Sequence, residues 1–139
     1  MNSISEVDLS WLAGIIDGEG HIGIISNKRN GCKDVLTPVV TITNSNVLIL
    51  QKCLEILEKI DVKYYYHSPR NSINRPLMRI RVSSRKSLQT LSDKIKPFLV
   101  GKKDMLQCID DFLATKERSV REDLRNKIIF LNHHGHMVL

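Results

Sequence analysis

The chain has little that would tie it to a membrane, an oxidising compartment or a zinc site. No apolar run approaches the roughly 18 residues of a membrane span, and no basic stretch followed by an apolar core opens the sequence, so the expected setting is intracellular rather than secreted. The three cysteines, Cys32, Cys53 and Cys108, are odd in number and show no Cys-x-x-Cys pairing. A disulfide framework or zinc ribbon is therefore not expected, and these thiols read as buried or incidental. There is one tryptophan, and aromatic residues make up 5% of the chain. No Pro/Gly/Ser-rich linker or low-complexity segment divides the 139 residues, which fit one domain over 1–139. Acidic residues are missing where basic ones collect. Between 62 and 103 eleven Lys/Arg face the single acid Asp93, whereas residues 1–20 hold four acids and no Lys or Arg. With a formal net charge of +6, that basic stretch points to a polyanionic partner.

Hydrophobic periodicity gives the element order. Leu9, Leu12 and Ile16 predict a helix over 5–17, capped at Ser5 or Asp8. Residues 21–29 and 35–43 read as strands, with a turn at Asn30-Gly31. Asn44-Ser45-Asn46 caps a helix over 47–60, and strands follow at 62–68 and 77–83. Helices are predicted at 85–95 and 102–114, and a last one opens with Ser119-x-x-Glu122 read as a capping box. The order α-β-β-α-β-β-α-α-α predicts an α+β fold: a four-stranded antiparallel sheet with helices on one face and extra C-terminal helices. The other face stays open. The period of two puts Arg79 and Arg81 on that face, opposite Met78, Ile80 and Val82. The third strand is ambiguous, and its Tyr64/Tyr66 set is expected on the open side.

Residues 12–20, Leu-Ala-Gly-Ile-Ile-Asp-Gly-Glu-Gly, break two local rules. Each interior glycine costs a helix about 1 kcal/mol relative to alanine. Asp17 and Glu19 sit at a helix C-terminus, where the macrodipole disfavours negative charge. Such conflicts mark candidate functional sites. Gly14 and Gly18, four apart, would let a second helix approach closely, and two abutting copies would bring two Glu19 carboxylates together. A like-charged pair of this kind calls for a cation, and hard oxygen ligands suit Mg²⁺.

This nonapeptide resembles the LAGLIDADG homing endonuclease family in its single-motif form. Eight of nine positions fit, Ile15 departs mildly, and the element order extends the likeness over about 5–115, leaving 116–139 as a C-terminal helical extension. The resemblance implies a homodimer that cleaves a long, pseudo-palindromic double-stranded DNA site, leaving short 3′ overhangs. Leu12, Ala13, Gly14, Ile15 and Gly18 would form its interface. It implies Glu19 as the metal-binding acid, assisted by the Gly18 carbonyl, with Mg²⁺ as cofactor, Mn²⁺ substituting and Ca²⁺ binding without supporting cleavage. No organic cofactor or membrane partner is implied. Asp17 would hydrogen-bond local backbone rather than bind metal. Asn44 occupies the place of a water-ordering amide, and it also reads as a helix cap. In Pro97-Phe98-Leu99-Val100-Gly101-Lys102-Lys103, Lys102 is the candidate for stabilising transition-state charge, with Lys103 as runner-up or as a DNA contact. A further basic residue has no match, because the corresponding place near Leu48 is apolar.

The resemblance also gives the open face a DNA-reading role: His21, Ile25, Asn27 and Arg29, then Thr37, Val39 and Thr41, then Tyr64, Tyr66, Arg79 and Arg81. Lys28, Lys33, Arg70 and Arg75, in or near loops, read as phosphate contacts. His133, His134 and His136, without paired Cys or acid, are weak evidence for metal. Two other readings use the same fold without cutting, a DNA-binding regulator and an RNA maturase for intron splicing. Retention of Glu19 favours the enzyme. A helix-turn-helix dimer would leave four strands unexplained.

Overall fold

A computed structural model describes residues 4–29, 31–67 and 78–134. Helix α1 (Glu6–Glu19) is capped by Ser5, whose hydroxyl accepts from the Asp8 N–H at 3.1 Å. Two strands follow, β1 (Gly20–Arg29) and β2 (Cys32–Asn44), then α2 (Val47–Lys59), β3 (Tyr65–His67), β4 (Met78–Val82) and α3 (Arg85–Ile95). A short 3₁₀ turn, Lys96–Phe98, leads into α4 (Lys103–Ala114) and α5 (Arg118–His134). The strands form one antiparallel sheet in the order β1-β2-β4-β3. In the β1–β2 connection Gly31 has φ 75°, which glycine tolerates without strain.

The core lies on one side of this sheet, as the alternation requires. Ile22, Ile24, Val40, Ile42, Ile80 and Val82 are buried there with Leu12 and Ile16 of α1, Leu50 and Ile56 of α2, Leu88 and Leu91 of α3, and Leu106 and Ile109 of α4. The predicted α+β architecture, with helices on one face, is the one observed. No helix among the described residues is long and apolar enough to cross a membrane.

Two elements differ from expectation. Strand β3 has three residues, Tyr65–His67, where seven were expected. The preceding backbone is engaged elsewhere: the Val62 N–H donates to the Leu57 carbonyl at 2.9 Å and the Lys63 N–H to Ser87 Oγ at 2.9 Å. Those bonds hold 62–63 against the end of α2 and the start of α3. Helix α5 begins at Arg118, so Ser119 and Glu122 lie inside it and form no capping box. The Glu117 N–H is instead met by Thr115 Oγ1 at 3.2 Å, and Glu122 pairs with Arg118.

Helix α5 runs along the outer edge of the sheet. Arg125 Nε donates to the Ile24 carbonyl at 3.0 Å and Asn132 Nδ2 to the Ile22 carbonyl at 3.2 Å. Arg118 donates to the carbonyl of Asp34. These donors recur every seven residues and so share one helix face. Arg125 and Asn132 satisfy carbonyls that β1, as the edge strand, would otherwise leave open, while Arg118 reaches the start of β2.

Candidate functional site

The C-terminal tip of α1 is tied to the turn before α4 by a dense set of bonds. The Asp17 carboxylate accepts from three backbone N–H groups: Val100 at 2.8 Å, Gly101 at 3.1 Å and Lys102 at 2.9 Å. This backbone is far away in sequence, not local as expected. The Lys102 ammonium donates to the Ile16 carbonyl at 3.0 Å and to the Gly20 carbonyl. It thus places positive charge on the negative end of the helix. Burial holds this lysine below its usual range, and the charge of Asp17 opposes that shift. Gly20 must lack a side chain, because a Cβ there would lie 2.7 Å from the Ile16 carbonyl oxygen.

These bonds resolve the electrostatic conflict at Asp17 and leave Glu19 as the exposed acid of the tip. Its carboxylate accepts from Asn44 Nδ2. The other half of that amide, Oδ1, accepts from the Asn46 N–H at 2.7 Å, and Asn46 Oδ1 caps α2 by accepting from the Leu48 N–H at 3.0 Å. Asn44 therefore joins the acid to the residue that caps α2, and the cap itself is Asn46 rather than Asn44. The buried thiol of Cys53 is pushed up to about 11, first by burial and second by the field of Glu19, so it stays protonated.

Replacing Asp17 by alanine would leave three N–H groups without their acceptor. The expected result is a loss of about 2 kcal/mol in urea unfolding, with Asp17→Asn falling between alanine and the parent. An unfolding midpoint unchanged by Asp17→Ala would show that the clamp carries no stability.

Along α1, the expected interface residues divide into two sets. Leu12 and Ala13 are both 0% exposed, so their side chains belong to the chain's own core and leave the set of surface residues. Gly14 and Gly18 are exposed, and beyond the helix's own backbone a Cβ at either meets nothing within 4 Å among the described residues. Half-buried Ile15 and Trp11, with exposed Val7, complete a stripe on the solvent side.

The open sheet face is set by strand register. His21 pairs with Thr41, Thr41 with Arg81, and Arg81 with Tyr65, giving one row across all the strands. A second row runs Thr43–Arg79–His67. Tyr65 and His67 therefore take the side expected for Tyr64 and Tyr66. Tyr64 instead donates its hydroxyl to Glu58 of α2 at 2.7 Å, which raises its phenol above the usual range. Tyr66 shares its row with Ile80 and Ile42, on the helix side. The signal missed in the sequence was Val62, which is buried and has the parity of Tyr64 and Tyr66.

His21, Ile25, Asn27 and Thr37 occupy the open face, with Asn27 exposed and Ile25 and Thr37 half-buried. Val39 and Thr41 share it but are 1% and 8% exposed. They form a floor rather than reading groups, since a wide ligand could not reach them past longer neighbours. Val39 stands opposite Gly23, and the His21 ring crowds Gly23 so closely that a Cβ there would lie 2.8 Å from Nε2. Burial holds His21 below the usual histidine range, and the charges of Lys102 and Arg81 add to the effect. Arg79 and Arg81 are partly buried, and the Nε of each is closed to solvent without a partner among the described residues. Lys28, Lys33 and Lys103 are exposed. Arg29 is the last residue of β1. Arg70, Arg75 and His136 lie outside the described residues.

A family model described as a LAGLIDADG-like domain matches residues 6–96. No curated protein matches. Among solved structures, the chain is similar to the homing endonuclease I-CvuI bound to the I-CreI target, with 23% identity, a TM-score of 0.74, and coverage of 91% of this chain and 82% of that one. It is also similar to the archaeal intron-encoded homing endonuclease I-Vdi141I bound to DNA, with 15% identity, a TM-score of 0.72, and coverage of 89% and 83%. A third, the homing endonuclease I-TnaI, has 15% identity and a TM-score of 0.63, and covers 99% of this chain and 88% of that one. At these identities the likeness concerns the fold.

Proposed function

The chain belongs to the LAGLIDADG-like family, and from that premise we propose that it is a homodimeric, divalent-metal-dependent endonuclease specific for a long double-stranded DNA site. One observation carries the reading. Gly14 and Gly18 are bare on the outer face of the helix whose tip holds Glu19, and beyond the helix's own backbone nothing among the described residues comes within 4 Å of a Cβ at either. Glycine at such positions costs a helix about 1 kcal/mol each, which the fold of a single chain does not require. A second copy packed against that face accounts for it and brings two Glu19 carboxylates to one axis.

The donor chemistry fits a hard divalent cation: an exposed carboxylate, with backbone carbonyls at a helix end. Among the described residues no three His, Cys, Asp or Glu groups gather into a metal site, so a cation at Glu19 would draw further oxygens from the second copy or from DNA. Glu19 and the Gly18 carbonyl would hold Mg²⁺, which when bound polarises the phosphate and acidifies water. The relative I-CvuI was captured with the I-CreI target uncleaved in 2 mM Mg and with its own target in 2 mM Ca.

The chain's own residues supply orientation. Asn44 fixes the Glu19 carboxylate through its Nδ2 donor and has its amide oxygen committed to the Asn46 N–H. Lys102 is committed to two carbonyls, so it acts as a fixed charge beside the site rather than as a mobile acid. Exposed Lys103, one residue on, is free to meet a phosphate. The rows His21–Thr41–Arg81–Tyr65 and Thr43–Arg79–His67 present guanidinium, imidazole and phenol groups suited to base edges.

The test is digestion of a randomised duplex library with Mg²⁺, followed by sequencing of the ends produced. Paired ends with a short 3′ overhang at one recurrent sequence, lost on chelation of the metal, are expected. Salt-sensitive duplex binding without cutting in Mg²⁺ or Mn²⁺ would identify a DNA-binding regulator. Selective binding of structured intron RNA would identify a maturase.

A further inference from the structure

Beyond the open sheet face, a second basic feature lies where the far end of β2 meets the α4–α5 connection. There a cleft of about 270 Å³ is lined by Lys33, Lys116, Arg118 and Arg121, with Asp34 as its one acid. Two of the cations are held in place. Arg118 Nε pairs with Glu122 while another of its nitrogens donates to the Asp34 carbonyl. Arg121 Nε donates to the Thr115 carbonyl at 2.9 Å, and its guanidinium lies 4.2 Å over the Phe112 ring. Asp34 is itself engaged, its carboxylate accepting from Ser26 Oγ at 2.9 Å. Lys33 and Lys116 are exposed at the rim.

The four cations are donors only, a set that suits phosphate oxygens and reads no base. Fixed guanidinium groups lose little freedom on binding, and Arg suits phosphate geometry in particular. Lys33 precedes Val35 by two residues on β2, and Val35 pairs with Asn27 of the open face. The cleft therefore begins where that face ends. Three of its four cations, Lys116, Arg118 and Arg121, lie outside the stretch that the family model matches.

We propose that this cleft binds a phosphodiester group of duplex DNA beyond the sheet, so that the α4–α5 junction lengthens the footprint without adding sequence specificity. The proposal rests on the endonuclease reading above. Lys116 is the residue to change, because it is exposed and has no part in the Glu19 centre.

The experiment measures duplex affinity against salt, in Ca²⁺, for the parent, Lys116→Ala, Lys116→Arg and Lys33→Ala/Lys116→Ala. One lost phosphate contact should lower the slope of log K against log salt by about 0.9. Over a fourfold rise in salt, Lys116→Ala should then lose about 3.5-fold less affinity than the parent. The change should be equal on the cognate and an unrelated duplex, be restored by Lys116→Arg, and be larger in the double variant. Parent-like slopes in both alanine variants, with duplex binding retained, would overturn the cleft proposal alone. A slope change seen with RNA but not with DNA would overturn its assignment to DNA. A parent that binds no duplex DNA would overturn the endonuclease reading as well.

Discussion

Glu19→Gln is expected to bind the target duplex as the parent does and to cut it about 10³-fold more slowly, since several kcal/mol of transition-state stabilisation would pass through the metal that this carboxylate is proposed to hold. The substitution is close to isosteric. The Asn44 amide, which donates to the Glu19 carboxylate, can donate equally to the glutamine oxygen, so the tip of α1 should keep its shape. What is lost is the charge proposed to recruit the cation. Gel-shift titration in Ca²⁺ reports binding and a single-turnover digest in Mg²⁺ reports cutting. Cutting at the parental rate would remove Glu19 from the chemistry. A loss of binding equal to the loss of cutting would make its role structural.

The second large effect concerns assembly, and its value lies in opposite signs. Gly14→Ala and Gly18→Leu add atoms where the single chain leaves space, with nothing within 4 Å of the new Cβ. Each removes a helix-interior glycine, so the isolated chain should become more stable by up to about 1 kcal/mol per site. In a dimer packed through that face, the Gly18→Leu side chain would enter the space of the partner helix. Monomeric sedimentation, an unfolding midpoint no lower than the parent's and loss of double-strand cutting should appear together. A dimer retained in Gly18→Leu, with full cutting, would place the interface elsewhere.

How much of this was legible in the sequence depended on what kind of force fixed each feature. Periodic burial fixed the sheet and helices well: Ile22 and Ile24 alternate with His21 and Gly23, and Leu9, Leu12 and Ile16 recur at helical spacing. Asn46 and Ser5 announced helix starts because capping is a local bond. The third strand was misread because its parity depends on Val62, and Val62 and Lys63 are held by α2 and α3 respectively rather than by the ladder. The Ser119–Glu122 pattern failed for a related reason. A cap is chosen where the chain leaves the preceding element, and Thr115 already served that turn. The motif marked where charge and glycine conflicted, but not how the conflict is relieved. Asp17 and Lys102 reach each other's surroundings across more than eighty residues, a contact that no local pattern encodes. Leu12 and Ala13 were assigned to the interface with Gly14, Ile15 and Gly18, although a helix at the centre of a fold must divide its faces between core and partner.

The placement of α5 has a consequence for how the protein comes into being. The edge of β1 has its outer carbonyls at Ile24 and Ile22 covered by Arg125 and Asn132 of α5. On a ribosome, roughly one hundred residues separate the strand from its cover, and at about 5–20 residues per second that interval is several seconds. Throughout it, the nascent chain carries a paired hairpin with one side unsealed, open to strands of neighbouring chains. Helix α5 is thus the element that ends this exposure, and synthesis halted before it would leave a chain prone to joining its own kind through the wrong surface.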